Sequence, residues 1–95
     1  MKRPKTQLQE ILYLLLYFTV EKRKCISQSE LREITYQNCI TARISELRAL
    51  GVVIEHKSVS FKNKFGRKGT MAKYFIPWAN IEKAKEIYKE LTKDI

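Results

Sequence analysis

Apolar residues recur along this chain with two spacings, and each spacing predicts an element. Leu8, Ile11, Leu12, Leu15 and Phe18 fall three or four apart, the period that gathers side chains on one face of an α-helix. Tyr13, Leu16, Tyr17 and Val20 form a second face, so the helix is apolar around most of its circumference and is either central in its domain or shared with a partner. Thr6-Gln7-Leu8-Gln9 has capping-box spacing, which predicts a start at Gln7 and a run to Thr19. Glu21 to Lys24 reads as a charged turn. A second capping box, Ser27-Gln28-Ser29-Glu30, opens a short helix through Leu31 and Ile34. Gln37-Asn38 interrupts the pattern. A third helix follows from Ile40 to Leu50, with Ile40, Ile44, Leu47 and Leu50 as its buried stripe and Gly51 as its stop.

Past Gly51 the period shortens towards two. Val52 to Phe61 is rich in β-branched residues, Lys62 to Gly69 holds two of the three glycines, and Thr70 to Ile76 returns as a second strand. That is a β-hairpin with a loop longer than a tight turn. Pro77 stops the strand. Asn80 is placed to cap a last helix with Ile81, Ala84, Ile87, Tyr88 and Leu91 on its apolar side. Its other side alternates in sign from Glu82 to Lys93. The expected architecture is a single α+β domain over 1–95: a tri-helical core (6–51), a two-stranded β-hairpin wing (52–76) and an added C-terminal helix (80–94). Helix, short helix, turn, helix, hairpin is the order of a winged helix-turn-helix.

Charge then narrows the partners. The 95 residues carry 19 Lys and Arg against 10 Asp and Glu, a formal charge of +9. Such a balance in a small domain points to a polyanion: DNA, RNA or an anionic membrane surface. The excess is not spread evenly. Residues 1–24 hold six cations and two Glu, and residues 51–76 hold six cations against Glu55 alone, while 25–50 and 77–95 are each balanced. The densest stretch is Lys62-Asn63-Lys64-Phe65-Gly66-Arg67-Lys68-Gly69. Like charges packed this closely repel unless an anion neutralises them. Phosphate contacts are therefore expected from Lys57, Lys62, Lys64, Arg67, Lys68 and Lys73 in the wing, and from Lys2, Arg3 and Lys5 in an N-terminal arm.

On the third helix, Thr41, Ser45 and Arg48 lie at i, i+4 and i+7 opposite the apolar stripe, with Asn38 at the start and Arg43 on a flank. Asn pairs with adenine and Arg with guanine, Ser and Thr serve several edges, and the Thr41 methyl suits a thymine methyl. Arg43 and Glu46 are spaced to pair with each other. For Arg48, near the helix's end, phosphate contact or the helix dipole competes with base reading.

The stretch Ile40-Thr41-Ala42-Arg43-Ile44-Ser45-Glu46-Leu47-Arg48-Ala49-Leu50-Gly51-Val52-Val53-Ile54 resembles the ARIxxLRxxGxxI signature of small helix-turn-helix proteins common in phages, prophages and mobile elements. Thr6 to Leu12 is similar to the way such domains begin, and Tyr74-Phe75-Ile76 to the way their strands end, so the resemblance covers about residues 6–76. It implies a double-stranded DNA-binding protein, a transcriptional regulator or DNA-organising factor, with the third helix as reader. The chain departs from that pattern at Tyr36-Gln37-Asn38, where a small residue or Gly commonly makes the turn. Asn38, tolerant of a left-handed backbone, is the expected substitute.

Other chemistries find little purchase. Cys25 and Cys39 stand fourteen apart without a CxxC, and His56 is the only histidine; no metal site is expected, and both thiols are read as reduced. Gly66-Arg67-Lys68-Gly69 lacks phosphate-loop spacing and His56 has no evident nucleophile, so neither an enzyme nor a cofactor is expected. The apolar run Ile11–Phe18 is eight residues long, far short of the roughly 20 a membrane span needs. Glu21-Lys22-Arg23-Lys24 stands where a leader would need a cleavage site, so a cytoplasmic protein is expected. Surplus apolar surface at Tyr13, Tyr17, Ile87, Tyr88 and Leu91 suggests a homodimer through the first and last helices. Two further readings stay open: a winged-helix protein-interaction module, and an RNA binder with Phe61, Phe65 and Tyr74 stacking on bases.

Overall fold

In a computed structural model, residues 2–93 are described, and within them each capping box closes as its spacing requires. The Thr6 hydroxyl accepts from the Gln9 amide at 3.2 Å while Oε1 of Gln9 accepts from the Thr6 amide at 3.3 Å, which starts α1, Gln7–Tyr17. The expected run to Thr19 is corrected. The chain widens into a π-helical turn, Phe18–Lys22, before Arg23 leaves it in a left-handed conformation at φ +52°. Part of the expected charged turn is thus helical. The Thr19 hydroxyl on this wide turn accepts from the Ile76 amide at 3.3 Å, tying the end of the first helix to the hairpin.

Ile26–Ser27 forms β1, and Ser27 then caps α2, Gln28–Thr35, through a second reciprocal pair with Glu30. Helix α2 ends on Tyr36, which takes the left-handed conformation (φ +57°) expected of Asn38, its amide bonded to Arg32 O at 2.8 Å. The reason is the next residue. Gln37 is buried, and its Nε2 donates to Gln7 O at 3.1 Å and to Oε1 of Glu10 at 3.2 Å, so the chain reverses before it, leaving the Tyr36 ring in solvent.

Helix α3 is Ile40–Ala49. Gly51, at φ +101°, lets its amide reach Arg48 O and the Val52 amide reach Leu47 O, at 3.1 and 3.0 Å, a Schellman stop with Leu47 and Val52 both buried. Leu50, expected on the buried stripe, is half exposed, as is Ile34 of α2; each sits at a helix end where the chain turns away from the core.

The strands β2, Glu55–Lys62, and β3, Lys68–Phe75, pair along their whole length, and β1 adds to the other side of β3 in the order β1-β3-β2, all antiparallel. The expected two-stranded hairpin is thus a three-stranded sheet, in which β2 starts at Glu55 rather than Val52, β3 starts at Lys68 rather than Thr70, and the loop is shorter. A 3₁₀ turn, Trp78–Asn80, leads into α4, Ile81–Thr92. Asn80 sits at the cap position but makes no side-chain cap bond, because the 3₁₀ turn leaves it at ψ 3°, whereas Thr6 and Ser27 are extended. Asp94, the expected end of this helix, lies outside the described residues.

Among the described residues the fold is α+β, with four α-helices and one antiparallel sheet, an arrangement compatible with a winged helix-turn-helix. Helix α1 is central: it packs on α2, α3, α4 and β3, and Ile11, Leu12, Leu15 and Leu16 are all buried. Helix α4 covers its second face. Tyr88 is buried against Tyr13, ring centroids 6.0 Å apart, and Nε2 of Gln9 donates to Leu91 O at 2.7 Å. Of the apolar residues that suggested a homodimer through the first and last helices, Tyr88 is buried, Tyr13, Ile87 and Leu91 are half-buried against the core, and Tyr17 stays exposed.

Candidate nucleic-acid interface

The wing tip is built by Asn63 and Gly66. The Asn63 amide donates to Arg67 O at 2.9 Å and the Gly66 amide returns to Asn63 O at 2.9 Å, so Lys64, Phe65 and Gly66 form the loop beyond that bond. Gly66 takes the positive φ (+86°) that this three-residue loop demands. Oδ1 of Asn63 accepts from the amides of Phe65 and Arg67, both at 2.9 Å. Every bond holding the tip is thus made by backbone or by Asn63. The cations Lys62, Lys64, Arg67 and Lys68 are all exposed.

Register sharpens the electrostatics. Lys62 faces Lys68 directly across the ladder, and Lys57 faces Lys73. Opposed like charges destabilise a sheet, and 56–76 contains no carboxylate to offset them. Alternation along the strands separates the two pairs: Lys57 and Lys73 lie on the face away from the core, Lys62 and Lys68 on the face that carries buried Tyr74 and Ile26 nearer the helices. Between them the Phe61 ring lies over Gly69, where a Cβ would come within 2.7 Å of the ring's Cζ. Phe65 is 85% exposed with the Lys64 ammonium 5.3 Å from its ring centroid, while Tyr74 is buried and out of reach as a stacking surface.

On α3, Thr41 and Ser45 are exposed, as is Asn38 before it. The two arginines are engaged within the chain. Arg43 is half-buried, pairs with Glu46 at 2.9 Å and reaches Oε1 of Gln7 at 3.4 Å. Arg48 is exposed, yet its Nε and Nη2 both donate to Ile54 O, at 3.2 and 2.8 Å, anchoring the chain just before β2. The helix face that remains is neutral.

The N-terminal arm is likewise partly engaged. The Lys2 ammonium donates to Thr92 O at 3.2 Å and Lys93 O at 3.4 Å, and the Tyr88 hydroxyl donates to Lys2 O. Lys2 so meets the carbonyl end of α4, where a cation is favoured. Arg3 and Lys5 stay exposed. Burial, and then the neighbouring Tyr13, raise the Tyr88 phenol above its ordinary value of 10.0.

Sequence reasoning passed over Arg23, Lys24 and Trp78, which the fold brings to one cleft together with Lys57. Their positions at three separate turns and strands give no local signal. His56 is exposed and packs edge-on to Tyr74, 6.3 Å between centroids. Cys25 is half-buried, Cys39 is exposed, and both are free thiols. Among the described residues no three His, Cys, Asp or Glu gather as a metal cluster, and no helix is long and apolar enough to cross a membrane. No protein-family profile matches the chain, and none of the curated proteins matches it.

Proposed function

We propose that this chain is a double-stranded DNA-binding protein of the winged helix-turn-helix type, serving as a transcriptional regulator or DNA-organising factor, with the wing as its principal grip. The observation that carries this reading is the wing tip: four exposed cations on a turn closed by its own backbone, two of them directly opposed, with no acid nearby. Repulsion of that kind is relieved when a phosphate backbone draws near, and the affinity it supplies is independent of sequence. Base reading falls to Asn38, Thr41 and Ser45, since Arg43 and Arg48 are held by Glu46 and Ile54. The resemblance of 40–54 to phage and mobile-element regulators favours an origin of that kind.

Gel retardation on mixed duplex DNA at low salt tests the proposal; absence of any shifted band there would refute it. Selection of bound duplexes from a random pool then asks whether Thr41→Ala and Ser45→Ala change sequence preference, as readers should. A second reading has one observation in its favour. Phe65, exposed beside Lys64, offers a stacking surface to an unpaired base. Single-stranded RNA outcompeting duplex DNA would favour it.

A further inference from the structure

The outer face of the sheet ends, away from the wing tip, in a cleft of about 550 Å³, a size in the range of small-ligand sites. Arg23, Lys24 and Lys57 line it, together with Phe75, Pro77 and Trp78, and none of its lining residues is acidic. Trp78 is 72% exposed, a large aromatic surface the core does not use. The cations are set by backbone: the π-helical turn delivers Arg23 in its left-handed conformation, and the Lys24 amide bonds to Phe18 O at 3.1 Å. Lys57 faces Lys73 across the ladder, so it meets a like charge on β3, and the Lys24 ammonium lies 5.8 Å from the Phe18 ring centroid.

We infer that this cleft binds a nucleoside phosphate, with the base against Trp78 and the phosphates among Arg23, Lys24 and Lys57. Two complementary features select this class. Inorganic phosphate would satisfy the cations and leave the indole in water; an uncharged aromatic would do the reverse. A nucleoside phosphate engages both, through stacking and charge-assisted hydrogen bonds. The site does not depend on duplex binding, which the preceding reading assigns to the wing tip and α3.

Trp78 is the only tryptophan, so its emission reports this cleft alone. The intact protein is titrated with ADP, adenosine and pyrophosphate. Saturable quenching by ADP is expected, with adenosine and pyrophosphate at least about tenfold weaker. Arg23→Gly suits the left-handed backbone and removes the guanidinium with its side chain; it and Lys57→Gln should each weaken ADP about tenfold, as for one charge-assisted contact. Trp78→Ala, followed by calorimetry, should weaken ADP by at least about tenfold as well. Lys64→Ala/Arg67→Ala should leave ADP binding unchanged while weakening duplex binding. No response to ADP overturns the inference, as do equal affinities for ADP and pyrophosphate or variants that bind ADP like the parent. A 5′-phosphorylated trinucleotide that binds where ADP does not would overturn the free-nucleotide site in favour of one for strand ends. Failure to retard duplex DNA bears only on the wing reading, so the two proposals fail separately.

Discussion

Replacing Lys64 and Arg67 together by Ala isolates the wing's electrostatics from its fold. Both side chains are exposed, and the bonds that close the tip come from Asn63 and from main-chain atoms that Ala keeps. Thermal stability should therefore be unchanged. Binding should not be. Each phosphate contact contributes about 0.9 to the slope of log K against log salt, so losing two flattens the slope by about 1.8. At about 0.1 M salt that corresponds to roughly 60-fold in affinity, or about 2.4 kcal/mol. Fluorescence anisotropy of a labelled duplex, measured between about 50 and 200 mM salt, reads both quantities. Lys85→Ala/Lys89→Ala on α4 removes the same charge from a balanced surface where Lys85 already approaches Glu82 at 3.9 Å, and it should change the slope little. An unchanged slope in the wing variant, or an equal loss in the α4 control, would refute the assignment of phosphate contacts to the wing.

Arg48→Ala should cost about 1–2 kcal/mol in urea denaturation, a value reduced for exposure, because the Ile54 carbonyl loses two donors. Arg48→Lys should restore little of it, since one ammonium cannot reproduce the paired N–H contacts. Neither change should alter which sequences a pool selection returns. Tyr88→Phe tests the buried phenol. Folding raises its pKa above 10.0, so the stability linked to its proton is complete below the unfolded value and drains away as pH climbs through the folded one. Urea titrations at about pH 8 and about pH 11 should show a steeper alkaline loss in the parent than in the Phe variant. At the lower pH the variant should be weaker by about 1 kcal/mol, through the bond to Lys2 O. A parallel alkaline loss in both proteins would rule out the linkage.

Local rules carried the elements whose signals are local. Both capping boxes closed on the residues their spacing named, and Gly51 stopped α3 with a positive φ, because a cap or a stop is decided within a few residues. The long-range partners of those elements were not legible in the same way. Strand β1 is two residues long, too short for any period to show, and exists only because β3 offers it an edge. The left-handed residue after α2 is Tyr36 rather than Asn38, since burial of Gln37 against α1 overrode intrinsic preference. The apolar faces of α1 and α4 were evident in the pattern, but whether they meet each other or a second subunit depends on the path of the chain between them.

The candidate site divides along the same line. Composition and charge order alone locate nine excess cations and assign five to the hairpin segment, because net charge is additive over sequence. Which of them stay available is a tertiary matter. The fold turns Arg48 to Ile54 and Lys2 to the end of α4, and it sets Lys62 against Lys68 at the tip, whereas the Arg43–Glu46 pair follows from spacing alone. It also carries Lys57 to Arg23 and Trp78, residues 34 and 21 positions away in the chain. Sequence by itself determined the helices, the hairpin and the excess of positive charge in two segments; tertiary structure decided which cations stay exposed and which are turned to carbonyls of the chain, because hydrogen-bond partners and strand register are set by packing between distant segments.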